Sequence, residues 1–191
     1  MSSISSWHPY RRQIVNWIVT AGSVVLCLLL LPTRLPGMEL LGIAPNWLLI
    51  WVVAWSVKRT AVQGAIAGLF LGLLQDGMTL PNPTHALSLA IVGILTARLH
   101  KQRYIQEDFI SVALIVFGMA VLAETITALQ FNFLDASVGG ADGFASHTLA
   151  DIWTYHQRIA LSSAILSSLW APVVYYPLNR WWERLNLLDP S

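Results

Sequence analysis

Apolar residues run through most of the chain in long blocks, and clusters of charged residues and prolines separate these blocks. A helix needs about 20 apolar residues to cross the roughly 30 Å hydrocarbon core of a bilayer. Cutting the chain at the charges and prolines predicts helices over 14–31, 40–57, 61–80, 84–99, 109–131 and 159–178. The pattern therefore predicts an all-α membrane protein with six transmembrane helices, in a single domain that covers residues 1–191.

The amino-acid composition agrees with a membrane protein and argues against a water-soluble domain. Hydrophobic residues make up 55% of the chain and charged residues only 11%, and the mean hydropathy is +0.59. Such values are hard to reconcile with a water-soluble domain. The formal net charge of +1 gives no indication of a nucleic-acid partner.

Lysines and arginines are distributed unevenly between the two sides of the predicted bundle. Nine of the eleven flank the helix ends on one side, and only Arg34 and Arg158 fall on the other. Because cytoplasmic loops of membrane proteins carry an excess of positive charge, both termini are predicted to be cytoplasmic. The loop at 132–157 would then face outward.

The third segment contains the sequence GAIAGLFLGLLQD, in which three glycines recur at a spacing of four. Residues four apart form one inclined ridge on a helix, so Gly64, Gly68 and Gly72 present a row without side chains. Such rows let two membrane helices approach closely. The favoured interpretation is packing within the bundle, with the serine-rich sixth segment as a candidate neighbour, and the alternative is docking of a partner protein's helix.

Two acidic residues fall at similar depths in the predicted membrane. Asp76 lies about 22 Å along the third helix and Glu124 about 22 Å along the fifth. Acids in apolar spans usually face the bundle interior and pair or become protonated. We therefore predict a polar cluster of Asp76, Glu124 and Arg158. The alternative is a hydrated Asp76 at the interface and a neutral Glu124.

A row of tryptophans marks the second segment. Trp47, Trp51 and Trp55 recur at a spacing of four, and the outer two are candidates for the aromatic belts of a membrane protein. Helix packing, lipid contact or partner docking would each use such a row. His147, Asp151 and His156 do not amount to a converging ligand set, so no metal site is predicted. No catalytic motif is recognisable, and no cofactor is predicted.

Three stretches together resemble the rod shape-determining protein MreD family. They are APNWLLIWVVAWSVKR, GAIAGLFLGLLQDGM and THALSLAIVGILTARL, which span residues 44–99. The residues that carry the resemblance are Pro45, Gly64, Gly68, Gly72, Asp76, His85, Ala86 and Leu87. The long outer loop at 132–157 departs from a minimal member of the family.

The resemblance implies a function without enzymatic activity, in the inner membrane of a bacterium. It implies a scaffold of the cell-elongation machinery that binds an MreC-like bitopic protein, with MreB filaments and elongation-specific wall synthases as further partners. A homodimer is left open. The resemblance also implies a fold like the substrate-binding subunits of energy-coupling-factor transporters. The alternative function is therefore capture of a small vitamin, with Asp76, Glu124 and Arg158 lining the pocket.

Overall fold

The computed structural model describes residues 9–33, 39, 42–79, 84–101, 109–138 and 149–186. The regular elements are six helices: α1 (Pro9–Leu30), α2 (Trp47–Ser56), α3 (Ala61–Met78), α4 (His85–Lys101), α5 (Phe109–Val138) and α6 (Leu149–Asn186). The predicted all-helical class is confirmed. The predicted loop at 132–157 is mostly helical, because α5 continues past the predicted end at 131 to Val138 and α6 already begins at Leu149. The rest of that loop, 139–148, lies outside the described residues, as do the turn predicted at 81–83 and Arg34.

Four of these helices are long and apolar enough to cross a membrane. The candidate spans are Tyr10–Leu30, Ala61–Met78, Phe109–Gln130 and Gln157–Leu185. Helices α2 and α4 are also apolar, but they are shorter. At 1.5 Å per residue, the ten residues of α2 cover only about 15 Å, half of the hydrocarbon core.

Helix α2 begins at Trp47, although the sequence predicted a start near residue 40. Gly42 has a φ of 79°, in the left-handed region that glycine adopts readily. Pro45 follows, and the Asn46 side chain caps the helix by accepting a hydrogen bond from the Leu49 backbone N–H. These three residues explain why the helix starts later than hydropathy alone suggests.

Helix α6 extends at both ends beyond the predicted 159–178, since it starts at Leu149 and runs to Asn186. Pro172 and Pro177 lie inside it without ending it. Prolines are tolerated in membrane helices because neighbouring helices and local adjustments satisfy the freed carbonyls. At the other end of the chain, α1 starts at Pro9 rather than near Ile14, with proline at the first helical position, where its missing N–H costs least.

Helix α2 is the centre of the bundle. Nine of its ten residues are buried, and it contacts each of the other five helices. A helix that is apolar on all sides needs neighbours on all sides, which is the position that α2 occupies. By contrast, only 6% of the α1 span is buried, so α1 lies at the periphery.

The helix ends form two chemically different ends of the bundle. Lys58, just after α2, binds Glu183 near the end of α6 with a 2.6 Å contact, and Arg59 lies over the Trp55 ring. We call this the basic end. At the opposite end, the side-chain oxygen of Gln130 on α5 accepts a hydrogen bond from the Thr84 N–H just before α4.

Candidate functional site

The glycine row of α3 lies directly against the backbone of α4. A Cβ atom added to Gly64 would collide with the carbonyl of Gly93, and one added to Gly68 would collide with the carbonyl of Leu89. At Gly72 the collision would be with the Cα of Ala86. The two helices are therefore antiparallel, and their backbones touch with no side chain between them. We call this contact the α3–α4 seam.

The neighbour of the glycine row differs from the candidate named from the sequence, which was the sixth segment. The serines of α6 have other contacts: Ser163 and Ser167 are buried, and Ser167 Oγ accepts a hydrogen bond from the Asn46 N–H at 2.9 Å. Sequence reasoning missed Gly93, whose own added Cβ would strike the Gly64 carbonyl. The small residues Ala86, Ala90 and Gly93 on α4 were the signal that could have found it.

Asp76 continues the glycine ridge by one more turn and binds the first turn of α4. Its Oδ1 accepts the His85 backbone N–H at 2.8 Å, and its Oδ2 accepts the Ala86 N–H at 3.3 Å. The His85 ring Nδ1 lies 2.8 Å from the same Oδ1. The first amides of a helix have no partner within it, and its positive end favours an anion. Asp76 lies near the C-terminus of α3, whose partial negative charge is unfavourable for a carboxylate. The amides at the N-terminus of α4 offset this cost by binding the carboxylate.

Glu124 lies in a cavity of about 320 Å³ between α5 and α6. The lining includes Val121, Glu124, Thr125 and Ala128 on α5, with Gln157 and Leu161 on α6. Glu124 is close enough to His85 for an electrostatic interaction between them. We call this space the Glu124 cavity.

The third member of the predicted cluster, Arg158, has an exposed side chain. Within the described ranges it neither forms an ion pair with nor donates a hydrogen bond to Asp76 or Glu124. Instead, His85 contacts Asp76 at 2.8 Å, and it lies within electrostatic range of Glu124. Coupling of Arg158 to these acids stays a prediction.

The three tryptophans of α2 lie inside the bundle or at its edge. Trp47 is 5% exposed and Trp51 is 3% exposed, and Trp51 Nε1 donates a 2.8 Å hydrogen bond to the Ser23 hydroxyl of α1. Trp47 packs against Trp170 of α6 with ring centroids 5.7 Å apart. Trp55 is half-buried and stacks on Trp51. The row therefore joins α2 to α1 and α6.

Contacts at these sites consist of close packing, helix capping and ion pairing. Among the residues that the structure describes, no group of three or more His, Cys, Asp or Glu side chains could hold a metal ion. The α3–α4 seam joins two helices through close backbone packing. The Glu124 cavity differs, because it combines a carboxyl group with open space.

Comparison with known proteins gives one family. The family model described as rod shape-determining protein MreD matches residues 11–177, which is most of the chain. No curated protein and no solved structure gives a significant match. The match includes all six helices in whole or in part, and it extends far beyond the 44–99 stretch that carried the resemblance in the sequence.

Proposed function

Because the chain belongs to the MreD family of rod shape-determining proteins, we propose that it is a membrane scaffold of the bacterial cell-elongation complex. Members of this family have a role in rod shape determination. They are structural components, and the family is not a known enzyme family. The match over residues 11–177 is the observation that carries the proposal. The helices contribute a rigid platform, held at the α3–α4 seam and around α2.

The proposed partner is an MreC-like bitopic protein, which would bind through its membrane helix. Large apolar side chains are exposed on several spans and offer surface to lipid or to another helix. MreB filaments on the cytoplasmic side and wall synthases on the outer side would complete the complex. The exposed cations Arg59, Arg180 and Arg184 at the basic end are available to an acidic filament surface or to anionic lipid.

We further propose a multi-pass topology in the inner membrane with the basic end in the cytoplasm. Six crossings would place both termini there, as the excess of positive charge favours. Helix α2 is too short to cross alone, so residues 42–46 would complete its crossing in non-helical conformation. Such backbone is tolerated at membrane depth where protein surrounds it. One domain, with an arrangement like the transporter S subunits, stays a prediction.

The function is tested by gene deletion and by co-purification. Deletion in a rod-shaped host should give wide or spherical cells, and a copy of the gene should restore the rod. The tagged protein, extracted in mild detergent, should retain the MreC-like partner. Unchanged cell shape together with loss of the partner from the purified protein would contradict the scaffold.

The alternative, a vitamin-binding transport subunit, depends on the Glu124 cavity as its pocket. Ligand pockets in proteins usually have volumes of about 300–1,000 Å³ and enclose most of the ligand. The cavity of about 320 Å³ is at the lower limit of that range. Submicromolar binding of a vitamin to the purified protein would favour transport over the scaffold.

A further inference from the structure

The face of α5 that includes the Glu124 cavity has an exposed glycine at its middle. Gly118 is exposed, and a Cβ atom added there would meet nothing within 4 Å. Glycine in a helix interior costs about 1 kcal/mol relative to alanine. At the α3–α4 seam that cost is offset by close packing of backbones, whereas at Gly118 none of the residues that the structure describes comes within 4 Å of an added Cβ. Thr125, two turns further along α5, is also small and exposed.

Glu124, at the same face, is a carboxyl group without a hydrogen-bond or ion-pair partner among the described residues. It lies about 22 Å along α5 when counted from Phe109, inside the Phe109–Gln130 span. Among the described residues, none donates a hydrogen bond to Glu124 or forms an ion pair with it. His85, the group within electrostatic range, is already bound to Asp76. Acids in membrane spans usually pair with an opposite charge, so a cation supplied from outside the chain would satisfy Glu124.

The shape of the cavity favours a side chain over a free ligand. Two exposed leucines accompany the cavity: Leu161, 52% exposed, lines it from α6, and Leu129, 54% exposed, follows the lining residue Ala128 on α5. A helix lying along this face would bury both leucines. A lysine or arginine reaching in from that helix would place its apolar stem against Val121 and Ala128 and its charge at Glu124.

We propose that the membrane helix of the bitopic partner crosses α5 at Gly118 and places a lysine or arginine side chain in the Glu124 cavity. This inference rests on the proposed function, because it assigns a surface to the proposed partner. The carboxyl of Glu124 specifies the charge of that partner, and Gly118 specifies the place of closest helix approach. Thr125 and Gln157 supply additional hydrogen-bonding groups at the cavity wall.

Co-purification of the MreC-like partner with variants of the full chain tests the surface. Glu124→Gln and Gly118→Leu should each lower the affinity for the partner by about tenfold, as loss of a polar contact or of close helix approach predicts. Gly77→Leu is the matched control, because Gly77 is also exposed in open space but lies on α3. The control should retain the partner at the wild-type level.

A charge exchange separates a lost contact from a misfolded variant. Glu124→Lys should abolish co-purification, and a partner variant with glutamate in place of its membrane-helix cation should restore it. In a Cys27→Ala background with an added oxidant, Thr125→Cys should form a disulfide with a cysteine introduced into the partner helix, whereas Ile66→Cys on the exposed face of α3 should not.

Two results would overturn the inference while leaving the scaffold intact. One is wild-type co-purification by both Glu124→Gln and Gly118→Leu. The other is cross-linking to the partner from residue 66 and not from residue 125. A wild-type protein that retains no partner would overturn the scaffold as well.

Discussion

Gly64 on α3 and Gly93 on α4 meet backbone to backbone, since a Cβ added to either would strike the carbonyl of the other. Such reciprocal contact leaves no room for any side chain at this crossing. In a membrane, where apolar burial gives no net drive for helix association, dispersion between closely packed backbones holds such pairs together. The α3–α4 seam therefore depends on glycine at both Gly64 and Gly93.

Substitution of Gly68 tests the seam. Gly68→Ala should lower the free energy of unfolding by about 1–3 kcal/mol, because the added methyl group meets the Leu89 carbonyl and forces the helices apart. Gly22→Ala is the control, since Gly22 lies in α1 with nothing within 4 Å. That change should be neutral or gain up to about 1 kcal/mol from helix propensity. Denaturant titration in detergent micelles measures both, and equal effects would contradict the seam.

Asp76 is expected to stabilise the fold by capping α4. Asp76→Ala leaves the His85 and Ala86 amides without their acceptor and should cost about 1–3 kcal/mol. Asp76→Asn keeps one acceptor oxygen and should recover part of the loss. The same titration measures both variants. A loss with Asp76→Asn as large as that with Asp76→Ala would show that charge, rather than capping, is the main contribution.

Double-mutant cycles then distinguish the partners of Asp76. The cycle with His85→Ala should show coupling, because the ring Nδ1 lies 2.8 Å from Asp76 Oδ1. The cycle with Arg158→Ala tests the predicted polar cluster, and strictly additive effects there would contradict it.

The sequence was sufficient to predict the glycine row because its spacing of four defines a ridge on any helix. The helix that the row contacts was not predictable in the same way. On α4 the small residues Ala86, Ala90 and Gly93 follow one another at spacings of four and three. The serines on α6 form a similar surface of small residues. Which of the two neighbours is used depends on how the helices assemble.

The backbone amides that bind Asp76 were missed for another reason. Side-chain cations are visible in a sequence, so Arg158 was a natural candidate, whereas free backbone amides are not. The short connection between α3 and α4 was the available clue, since it brings the start of α4 close to the end of α3. In addition, periodicity could not show that α2 is central, because a helix that is apolar all round has no preferred face.

The hydrogen bond from Trp51 to Ser23 is expected to hold α1 against the bundle. Only 6% of the α1 span is buried, so single contacts matter more there than elsewhere. Trp51→Phe removes the donor and should cost about 1 kcal/mol, while Ser23→Ala leaves a buried indole N–H without an acceptor and should cost about 1–3 kcal/mol. The two changes should be non-additive. Faster hydrogen exchange of α1 amides would locate the effect, and unchanged exchange would refute it.

Cysteine accessibility tests the proposed topology in a Cys27→Ala background. Lys58→Cys and Arg180→Cys should react with a membrane-impermeant reagent from the same side, because Lys58 binds Glu183, three residues after Arg180. Arg158→Cys, at the other end of the α6 span, should react from the opposite side. The excess of positive charge at the basic end predicts that the first side is the cytoplasm. If Lys58→Cys and Arg180→Cys reacted from different sides, α2 and α6 could not end together, and the ion pair and the even number of crossings would both be wrong.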